Sequence, residues 1–587
     1  MIAARFAHAL PFGAAVRPDG ITHFRIWAPG VVGMAVQIDG GAAVPMREEA
    51  GGWHVAEISC AAGTRYKYCL PDGLLVPDPA SRLQHGDVHG WSVVLDPAAH
   101  EWHFHDWRGR PWHEAVVYEV HAGLLGGFAG ISEKLEGLRD LGVTAIEIMP
   151  IADFPGTRNW GYDGVLPFAP DAAYGTPGEL KALIDRAHGL GLMVLLDVVY
   201  NHFGPDGNYL HAYAEAFFDP GTDTPWGAAI AFGRREVRDF FTHNALYWLN
   251  EYRFDGLRFD ATHAIMPQTA LRDLAADIRA GVEPGRHVHL VLEHEGNRAS
   301  LLGEGQFDAQ WADDAHHCLH VLLTGEREGY YQDYPDPAGQ LATALREGFV
   351  YQGQQSPRGK RRGEPSAALS PTCFIFCLQN HDQIGNRAFG ERLAVLAEPE
   401  ALRAAQALLL LAPQIPMLFM GEEYGSRAPF LYFTDHNAEL ARLVRDGRRK
   451  EFAHFAAFAD ARRREQIPDP NAPATFELSR PDPADADPRT LAQTRLLLGL
   501  RARHIAPHLP GCRALAAGPV GDTGVLARWV LGNGAELVIA SNLGGVPLPI
   551  DAVDGPMLFE SRGGDADAVR QGRLPARCTV AFLLGPA

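Results

Sequence analysis

Cysteine is rare in this chain of 587 residues, and no hydrophobic run is long enough to span a bilayer. Only seven cysteines occur, at positions 60, 69, 318, 373, 377, 512 and 578. This odd and scattered set argues against a disulfide framework and is typical of a reduced intracellular protein. The most apolar stretch, residues 405–420, contains two glutamines and two prolines, which predicts a buried helix followed by a strand.

Basic residues are also in deficit. Lysine and arginine number 52 against 71 acidic residues, which gives a formal net charge of −19. A nucleic-acid-binding protein has an excess of basic residues, which this chain does not have, and its negative charge also disfavours binding to an anionic membrane surface. A neutral or cationic small molecule is therefore the better partner. Apolar residues make up 47% of the chain, which excludes a disordered protein. Because Pro11 interrupts a short apolar N-terminal run, we expect no signal peptide and a cytoplasmic location.

Strand and helix patterns predict three domains. Residues 1–105 alternate short β-rich runs with turn residues, which predicts an N-terminal β-sandwich. Residues 106–509 alternate apolar strands with helical patterns, which favours a (β/α)8 barrel of the α/β class over an open sheet. Residues 510–587 return to short β runs and predict a C-terminal all-β domain. The predicted barrel strands are 115–121, 143–151, 193–200, 256–260, 288–293, 309–314, 373–380 and 415–420. The predicted helices are 131–142, 176–190, 235–252, 267–281, 399–411 and 489–509.

Polar side chains collect where these predicted strands end, which is where the active site of such a barrel lies. Period-two alternation puts Arg258 and Asp260 on one face of a strand, so the arginine can keep the aspartate ionised and aimed, as a nucleophile requires. Carboxylates at three strand ends can supply the pair that glycoside hydrolysis needs, although each residue alone could equally be a structural ion pair or cap. The set comprises Asp197, Asn201, His202, Arg258, Asp260, His263, Glu293, Glu295, His381 and Asp382.

Four short segments at these positions resemble the α-amylase family of (β/α)8 glycoside hydrolases. They are DVVYNH at 197–202, GLRFDATH at 256–263, the glutamate after LVL at 290–292, and QNHD at 379–382, in the family's order. The resemblance implies that Asp260 is the nucleophile and Glu293 the general acid/base of a retaining mechanism. Asp382 would be the third carboxylate, which distorts the sugar and stabilises the transition state.

The same resemblance implies a set of sugar-binding residues. Arg258 would orient Asp260, and His202 and His381 would hydrogen-bond the sugar in the cleaved subsite. Tyr162 of the NWGYDG segment at 159–164 would stack on that sugar, because aromatic faces suit sugar C–H surfaces. The full substrate-binding set in this part of the chain is Trp160, Tyr162, His202, Arg258, His263 and His381.

Further segments narrow the resemblance to one branch of the family, the maltooligosyltrehalose trehalohydrolases. Members of that branch hydrolyse the α-1,4 bond next to a terminal trehalose unit and release free trehalose, so a partner enzyme must build the 1,1 linkage. The branch resemblance implies an N-terminal β-sandwich of the immunoglobulin-like type found in starch- and glycogen-acting relatives, and no metal or cofactor. The segments are WAPG at 27–30, VPDPASRLQ at 76–84, TPWG at 224–227, and the longer runs 309–331, 380–393, 421–436 and 445–452.

The chain departs from the family pattern at three places. Residues 124–126 are Leu-Leu-Gly where the family has a Thr-Phe-Thr-like stretch, and Ala231 stands where asparagine is expected. The acid/base strand ends Leu292-Glu293-His294-Glu295, where relatives more often have Ala-Glu followed by a different pair. Glu293 and Glu295 share parity, so geometry alone does not separate them. Position directly after the apolar run favours Glu293.

Because the leaving group would be trehalose, the far end of the cleft must recognise a 1,1-linked disaccharide. We hypothesise that branch-typical residues after two barrel strands build that end, with packing of the loops as the alternative for the aromatic ones. These residues are Trp311, Asp313, Asp314, His316, His317, Phe430, Tyr432 and Asp435.

Two other functions remain open at this point. The first is a glycogen branching or debranching enzyme, which shares the WGYDG and PDPAS segments. The second is a non-catalytic glycan-binding relative, which should lack at least one of Asp260, Glu293 and Asp382, whereas all three are present.

Overall fold

The computed structural model describes residues 6–224 and 227–585, so two residues of the TPWG segment, Pro225 and Trp226, lie outside it. Among the described residues, no helix is both long and apolar enough to cross a membrane. All seven cysteines are free thiols. The apolar stretch 405–420 forms the end of the helix Pro399–Leu411 and then a barrel strand, as predicted.

The N-terminal region is a sandwich of two antiparallel sheets. Strand Ile21–Trp27 alternates buried and partly exposed residues, and Phe24 on its inner face packs against Tyr66 of the other sheet, with ring centroids 4.8 Å apart. The first sheet contains Gly13–Val16, Ile21–Trp27, Trp53–Ser59 and Arg47–Glu49. The second contains Ala43–Pro45, Ala35–Ile38, Arg65–Cys69, Trp91–Val93, Gln84–His85 and Leu75–Val76.

Eight parallel strands close into a barrel, which confirms the predicted fold class. The first strand pairs with both the second and the eighth, so the sheet has no free edge. Every strand is buried along its length, which explains the near-continuous apolar runs in the sequence. The strands are β1 (Val117–Val120), β2 (Ala145–Ile148), β3 (Met193–Val198), β4 (Gly256–Phe259), β5 (His289–Leu292), β6 (Ala309–Trp311), β7 (Phe374–Cys377) and β8 (Ile415–Phe419).

The predicted helices lie between these strands, or after the last of them, and differ from the predicted bounds at their ends. For example, Thr176 caps the helix Pro177–Gly189, because its side chain accepts a hydrogen bond from Glu179 N. The Glu179 side chain in turn accepts one from the backbone N–H of Thr176. The predicted helices are Gly127–Leu141, Pro177–Gly189, Arg235–Leu246, Thr269–Gly281, Pro399–Leu411 and Pro488–His504 in the structure. Helices that the sequence did not indicate are Leu210–Tyr213, Asp313–Thr324, Pro337–Glu347, His381–Gly385, Leu393–Leu396, Ala461–Glu465 and Pro473–Leu478.

The predicted strand 309–314 is too long at its C-terminal end. The strand stops at Trp311, and a helix starts at Asp313. Nearly every residue of this helix is buried, so it carries no apolar stripe on one face by which a sequence pattern could reveal it.

The C-terminal region is a β domain with one short helix, Asp565–Arg570. Trp529 on its second strand is fully buried and donates from Nε1 to the Leu345 carbonyl, 3.3 Å away, which ties this sheet to a helix of the barrel region. The five-stranded sheet contains Arg513–Val520, Gly524–Val530, Glu536–Asn542, Cys578–Leu584 and Met557–Glu560, and a small second sheet pairs Leu548–Pro549 with Arg573–Leu574. Two further hairpins, Ala152–Asp153 with Leu166–Pro170 and Phe218–Thr224 with Gly227–Ile230, lie in the barrel loops.

Candidate active site

The polar residues of the barrel form one layer above its apolar interior. Val117 and Leu195 belong to the interior cluster. Because positions on one face of a strand recur every second residue, the next interior positions on β1, β2 and β3 are Glu119, Glu147 and Asp197. All three carboxyl groups are buried, so the end of the barrel holds several acids that need partners.

Arg258 on β4 is the central partner. Its guanidinium is fully buried, and Nη1 donates to Asp197 Oδ2 at 2.7 Å and to Asp260 Oδ1 at 2.9 Å. Nη2 donates to Glu293 Oε2 at 2.7 Å, and the Trp311 ring lies against the guanidinium, with its centroid 4.0 Å from Cζ. The planar guanidinium of Arg258 therefore holds three carboxylates, which lie at the ends of three neighbouring strands.

Asp260 directly follows the last residue of β4, and a sharp turn follows it. Asn201 holds the aspartate from the other side, donating from Nδ2 to Asp260 Oδ2 at 2.7 Å and to its carbonyl at 2.9 Å. Ala261 adopts a left-handed conformation with φ of 39°, which lets its N–H donate to Glu293 Oε2 at 2.9 Å. The Asp260 side chain keeps 12% of its surface exposed.

The structure separates the two glutamates that parity left equivalent. Glu293 lies against Arg258, and its side chain is 18% exposed. Glu295 is 54% exposed, and its ion-pair partner is Lys360, with Nζ 3.6 Å from Oε1. Because β5 ends at Leu292, the chain turns before Glu295 and the alternation no longer applies. The carboxylate cluster therefore contains Glu293 and not Glu295.

Asp382 lies at the start of the short helix His381–Gly385. Asn380 caps this helix by accepting from the N–H of Asp382, at 2.9 Å, and from that of Gln383. Asp382 is the most open of the three predicted catalytic carboxylates, with 41% of its side chain exposed. Desolvation by the cleft walls raises the pKa of Asp382, His381 partly offsets this rise, and Glu293 adds to it.

His381 is held by Glu119, which the sequence analysis did not single out. Its Nδ1 donates to Glu119 Oε1 at 2.5 Å, and its backbone N–H donates to Glu119 Oε2 at 3.2 Å. Burial alone would lower the pKa of His381, but Glu119 and Asp382 outweigh this effect and raise the pKa to about 9. The imidazole is therefore cationic at neutral pH and places a positive charge beside Asp382.

The Glu119–His381 pair predicts a dependence of the free energy of unfolding on pH. Because the folded-state pKa of His381 lies above its usual value of 6.5, the stabilisation is fully present below pH 6.5 and disappears as the pH rises through about 9. Glu119→Gln removes the negative charge that stabilises the protonated imidazole of His381. We expect the stability advantage of the wild type over Glu119→Gln to shrink across this window by up to about 3 kcal/mol. Urea unfolding at pH 6, 7.5 and 9 measures it, and parallel curves for the two proteins would contradict the assignment.

Tyr162 and Trp160 pack against the imidazole ring of His381. The Tyr162 hydroxyl donates to Asp197 Oδ2 at 2.6 Å and lies 2.9 Å from His381 Nε2, with the two rings stacked at 5.2 Å. Trp160 meets His381 edge-on at 5.6 Å. Burial raises the pKa of Asp197 to about 7, an effect that Arg258 opposes. These side chains therefore form a packed group in contact with Asp197.

The other two predicted sugar-binding histidines differ in position. His202 is buried, with Nε2 2.9 Å from the Tyr162 carbonyl oxygen and its other ring nitrogen in contact with Asn201. His202 thus supports the residues that hold Asp260. His263 lines a neighbouring cavity together with His294 and Glu295, and its ring lies 6.1 Å from that of His294. The structure does not bring His263 into the cluster around Arg258.

Residues proposed for the trehalose end fall into two groups. Asp313 is partly exposed at the start of its helix, and desolvation, together with repulsion from Glu293 and Asp382, raises its pKa to about 7. Asp314 next to it is fully buried and accepts from Tyr334 Oη at 2.5 Å. His316 and His317 are also buried, with Nδ1 2.6 Å from the Leu378 carbonyl oxygen and 3.0 Å from Tyr334 Oη, respectively. Asp314 and the two histidines therefore support the cleft wall from behind.

The residues from segment 421–436 are mainly packing contacts. Phe430 is fully buried and stacks on Trp160 at 5.1 Å, while Tyr432 meets the same ring edge-on at 5.1 Å. Asp435 accepts from Thr157 N at 2.9 Å and pairs with Arg158. The loop after β8 thus fixes the loop that carries Trp160 and Tyr162.

Sequence reasoning missed three residues of the site. Glu119 and Glu147 occur inside strands with no motif around them, and period two within those strands is the one signal that could have found them. Neither oxygen of Glu147 has a hydrogen-bond partner among the described residues, and burial raises its pKa well above the usual range. Tyr330 is 37% exposed, and its pKa of about 12 reflects desolvation together with the nearby charges of Asp382 and Asp313. The sequence feature that could have revealed Tyr330 is the Tyr-Tyr pair at the end of the segment 309–331.

Comparison with known families agrees with this geometry. Residues 81–243 match the family described as alpha amylase, catalytic domain, and residues 512–582 match a domain of unknown function, DUF3459. A Salmonella typhimurium crystal structure described as of the alpha-amylase type superposes with a TM-score of 0.92 at 41% identity, covering 98% of this chain and all of the other. The closed barrel and its carboxylate cluster thus define an α-amylase-type glycoside hydrolase.

Curated relatives narrow the class further. A malto-oligosyltrehalose trehalohydrolase of Deinococcus radiodurans is 42% identical over 551 residues, which is 91% of this chain and 89% of the relative. A protein of the same name from Saccharolobus solfataricus is 41% identical over 460 residues, covering 75% of this chain and 80% of the relative. The chain belongs to the malto-oligosyltrehalose trehalohydrolase family.

Proposed function

We propose that this protein hydrolyses the α-1,4-glucosidic bond next to the terminal trehalose of malto-oligosyltrehalose and releases free trehalose. The observation that carries the chemistry is the single guanidinium of Arg258, which holds Asp260 and Glu293 on adjacent strands. Both carboxylates face one guanidinium, which fits the pair of acids that a retaining glycosidase uses as nucleophile and acid/base.

The mechanism is a double displacement. Asp260 attacks the anomeric carbon, the bond to the trehalose oxygen breaks, and Glu293 gives its proton to that oxygen. A water molecule then enters where trehalose was, and Glu293 takes one of its protons. The hydroxyl attacks the anomeric carbon and the ester bond to Asp260 breaks. The new reducing end keeps the α configuration.

We assign the remaining roles from position. Asp382 is the most exposed of the three carboxylates, so its oxygens can accept hydrogen bonds from sugar hydroxyls. His381 and Tyr162 form the base on which the sugar of the cleaved subsite rests. Arg258 keeps Asp260 in line for attack and adds positive charge beneath the developing ester.

Asp313 is the residue we propose to contact the leaving trehalose, because it is partly exposed near both Glu293 and Asp382. Asp313→Asn should lower kcat/KM for malto-oligosyltrehalose about tenfold more than for a plain malto-oligosaccharide, since one good polar contact to a sugar hydroxyl is lost. Competition between the two substrates measures this ratio. An unchanged ratio in Asp313→Asn would contradict the assignment, and Asp308→Asn, which alters an aspartate at the opposite end of β6, serves as the control.

Product analysis separates this function from branching and debranching. Incubation with maltopentaosyl-trehalose should release free trehalose and maltopentaose, whereas amylose should gain no branch points and a branched glucan should not be debranched. New branch points, or release of linear chains from the branched glucan in place of trehalose, would overturn the proposal.

We further propose that the enzyme works in the cytoplasm, where its seven free thiols stay reduced. Because its substrate carries a 1,1 linkage that hydrolysis does not make, a second enzyme that forms this linkage from a malto-oligosaccharide must supply it.

A further inference from the structure

The arginine-rich segment 445–452 has a role that the sequence analysis did not find. Most of this segment lies in the helix Ala438–Glu451, which is largely exposed. Every residue of this helix is described, and Arg448 alone among them is buried. A single buried arginine on an otherwise exposed helix needs a specific set of partners.

Arg448 is satisfied by carbonyl oxygens and aromatic rings. Its Nη2 donates to the Gly385 carbonyl at 2.6 Å and to the Arg387 carbonyl at 3.0 Å. Its guanidinium lies 5.1 Å from the Tyr432 ring centroid and 5.3 Å from that of Phe452. Desolvation lowers the pKa of Arg448, and the charge of Glu451 opposes this effect. The two carbonyl oxygens are the hydrogen-bond acceptors that satisfy the buried guanidinium.

The first of these carbonyls belongs to the helix of Asp382. Gly385 is the last residue of the helix His381–Gly385, less than one turn beyond Asp382. The last carbonyls of a helix have no partner within it, and Arg448 supplies one, while Asn380 caps the other end. A Cβ at Gly385 would overlap the Trp160 ring, so this end of the helix fits closely against the cleft wall.

A second route leads from Arg448 to His381 through stacked rings. Tyr432, which lies under the guanidinium, packs edge-on against Trp160 at 5.1 Å. Trp160 in turn packs edge-on against His381 at 5.6 Å. The hydrogen-bonded route and the aromatic route thus converge on the adjacent residues His381 and Asp382.

We propose that Arg448 is a positioning residue for the hydrolysis, which clamps the helix His381–Gly385 so that Asp382 keeps its place at the reacting sugar. This inference rests on the proposed function, because Arg448 acts through Asp382 and touches no substrate. Lysine cannot replace the arginine, since one compact ammonium group lacks the planar fork that binds carbonyls and stacks on rings at once.

The test is a double-mutant cycle between Arg448→Lys and Asp382→Asn, read as trehalose release from maltopentaosyl-trehalose. In the wild-type background, Arg448→Lys should lower kcat about 10- to 100-fold with KM within about threefold, because a shift of about 1 Å at the chemistry costs that much. In the Asp382→Asn background, whose residual rate is followed over hours, the same substitution should cost less than about twofold. Arg442→Lys, at an exposed position of the same helix, is the matched control and should leave kcat unchanged.

Two results would overturn the inference. One is an equal loss from Arg448→Lys in both backgrounds, which a purely structural role predicts. The other is an Arg448→Lys rate equal to that of Arg442→Lys. Urea unfolding of each variant confirms that the compared proteins are folded, and Arg448→Met serves as a second probe in the same cycle. A fully active Asp382→Asn would overturn both this inference and the proposed role of Asp382, whereas an impaired Asp382→Asn with additive losses would overturn the inference alone.

Discussion

Asp260→Asn should lower kcat for trehalose release by at least about 10⁴-fold, because the amide oxygen is too weak a nucleophile to form the glycosyl ester. The substitution keeps the size of the side chain, so binding should change much less than turnover. Product analysis on maltopentaosyl-trehalose measures the loss over long incubation.

The geometry around Asp260 makes this a stringent experiment. Arg258 and Asn201 both donate to the aspartate, so the new amide group leaves at least one of these donors without an acceptor. A urea unfolding curve of the variant shows whether this costs stability, and Asp446→Asn, at an exposed site, is the control substitution. Persistent trehalose release by folded Asp260→Asn would remove Asp260 as the nucleophile.

Glu293→Gln should lower kcat about 10³-fold, because the leaving trehalose oxygen then receives no proton. Glu295→Gln is the matched control. It lies two residues away, is 54% exposed and forms a surface ion pair with Lys360, so its kcat should stay within about twofold of the wild type.

A substrate with a better leaving group sharpens this comparison. An α-maltosyl fluoride needs no proton donor to lose fluoride, so Glu293→Gln should be far less impaired in that first step than with maltopentaosyl-trehalose. Equal impairment with both substrates, or a greater loss in Glu295→Gln than in Glu293→Gln, would contradict the acid/base role of Glu293.

The barrel and the carboxylate cluster could be predicted because two simple rules act on them. Apolar runs mark the strands, and the polar side chains of the cluster follow the strand ends. Arg258 and Asp260 show both rules at once, since alternation alone puts them on one face and the structure joins them by a bond of 2.9 Å.

Other parts of the site depend on contacts that no local pattern encodes. Glu293 and Glu295 have the same parity, and only the turn after Leu292 separates them. Asp314 follows Asp313 directly, yet the helix that starts there turns one toward the cleft and buries the other against Tyr334. These outcomes are set by tertiary packing, which a sequence window does not contain.

Long-range partners were the hardest to foresee. Glu119 meets His381 across 262 positions of the chain, and Arg448 reaches Gly385 across 63. The sequence around each residue gives no sign of its role, because Glu119 lies within an apolar strand and Arg448 lies among other arginines in a helix. Only the closed barrel and the loop packing bring them to the carboxylates that we propose to be catalytic.

The central claim is that Asp260 and Glu293 cleave the bond by a double displacement, in which two successive inversions retain the α configuration. Proton NMR of the freshly released maltopentaose, recorded before mutarotation, tests this claim most directly. The account predicts that the α-anomer of the new reducing end appears first and the β-anomer only later. Initial appearance of the β-anomer would show a single displacement and contradict it.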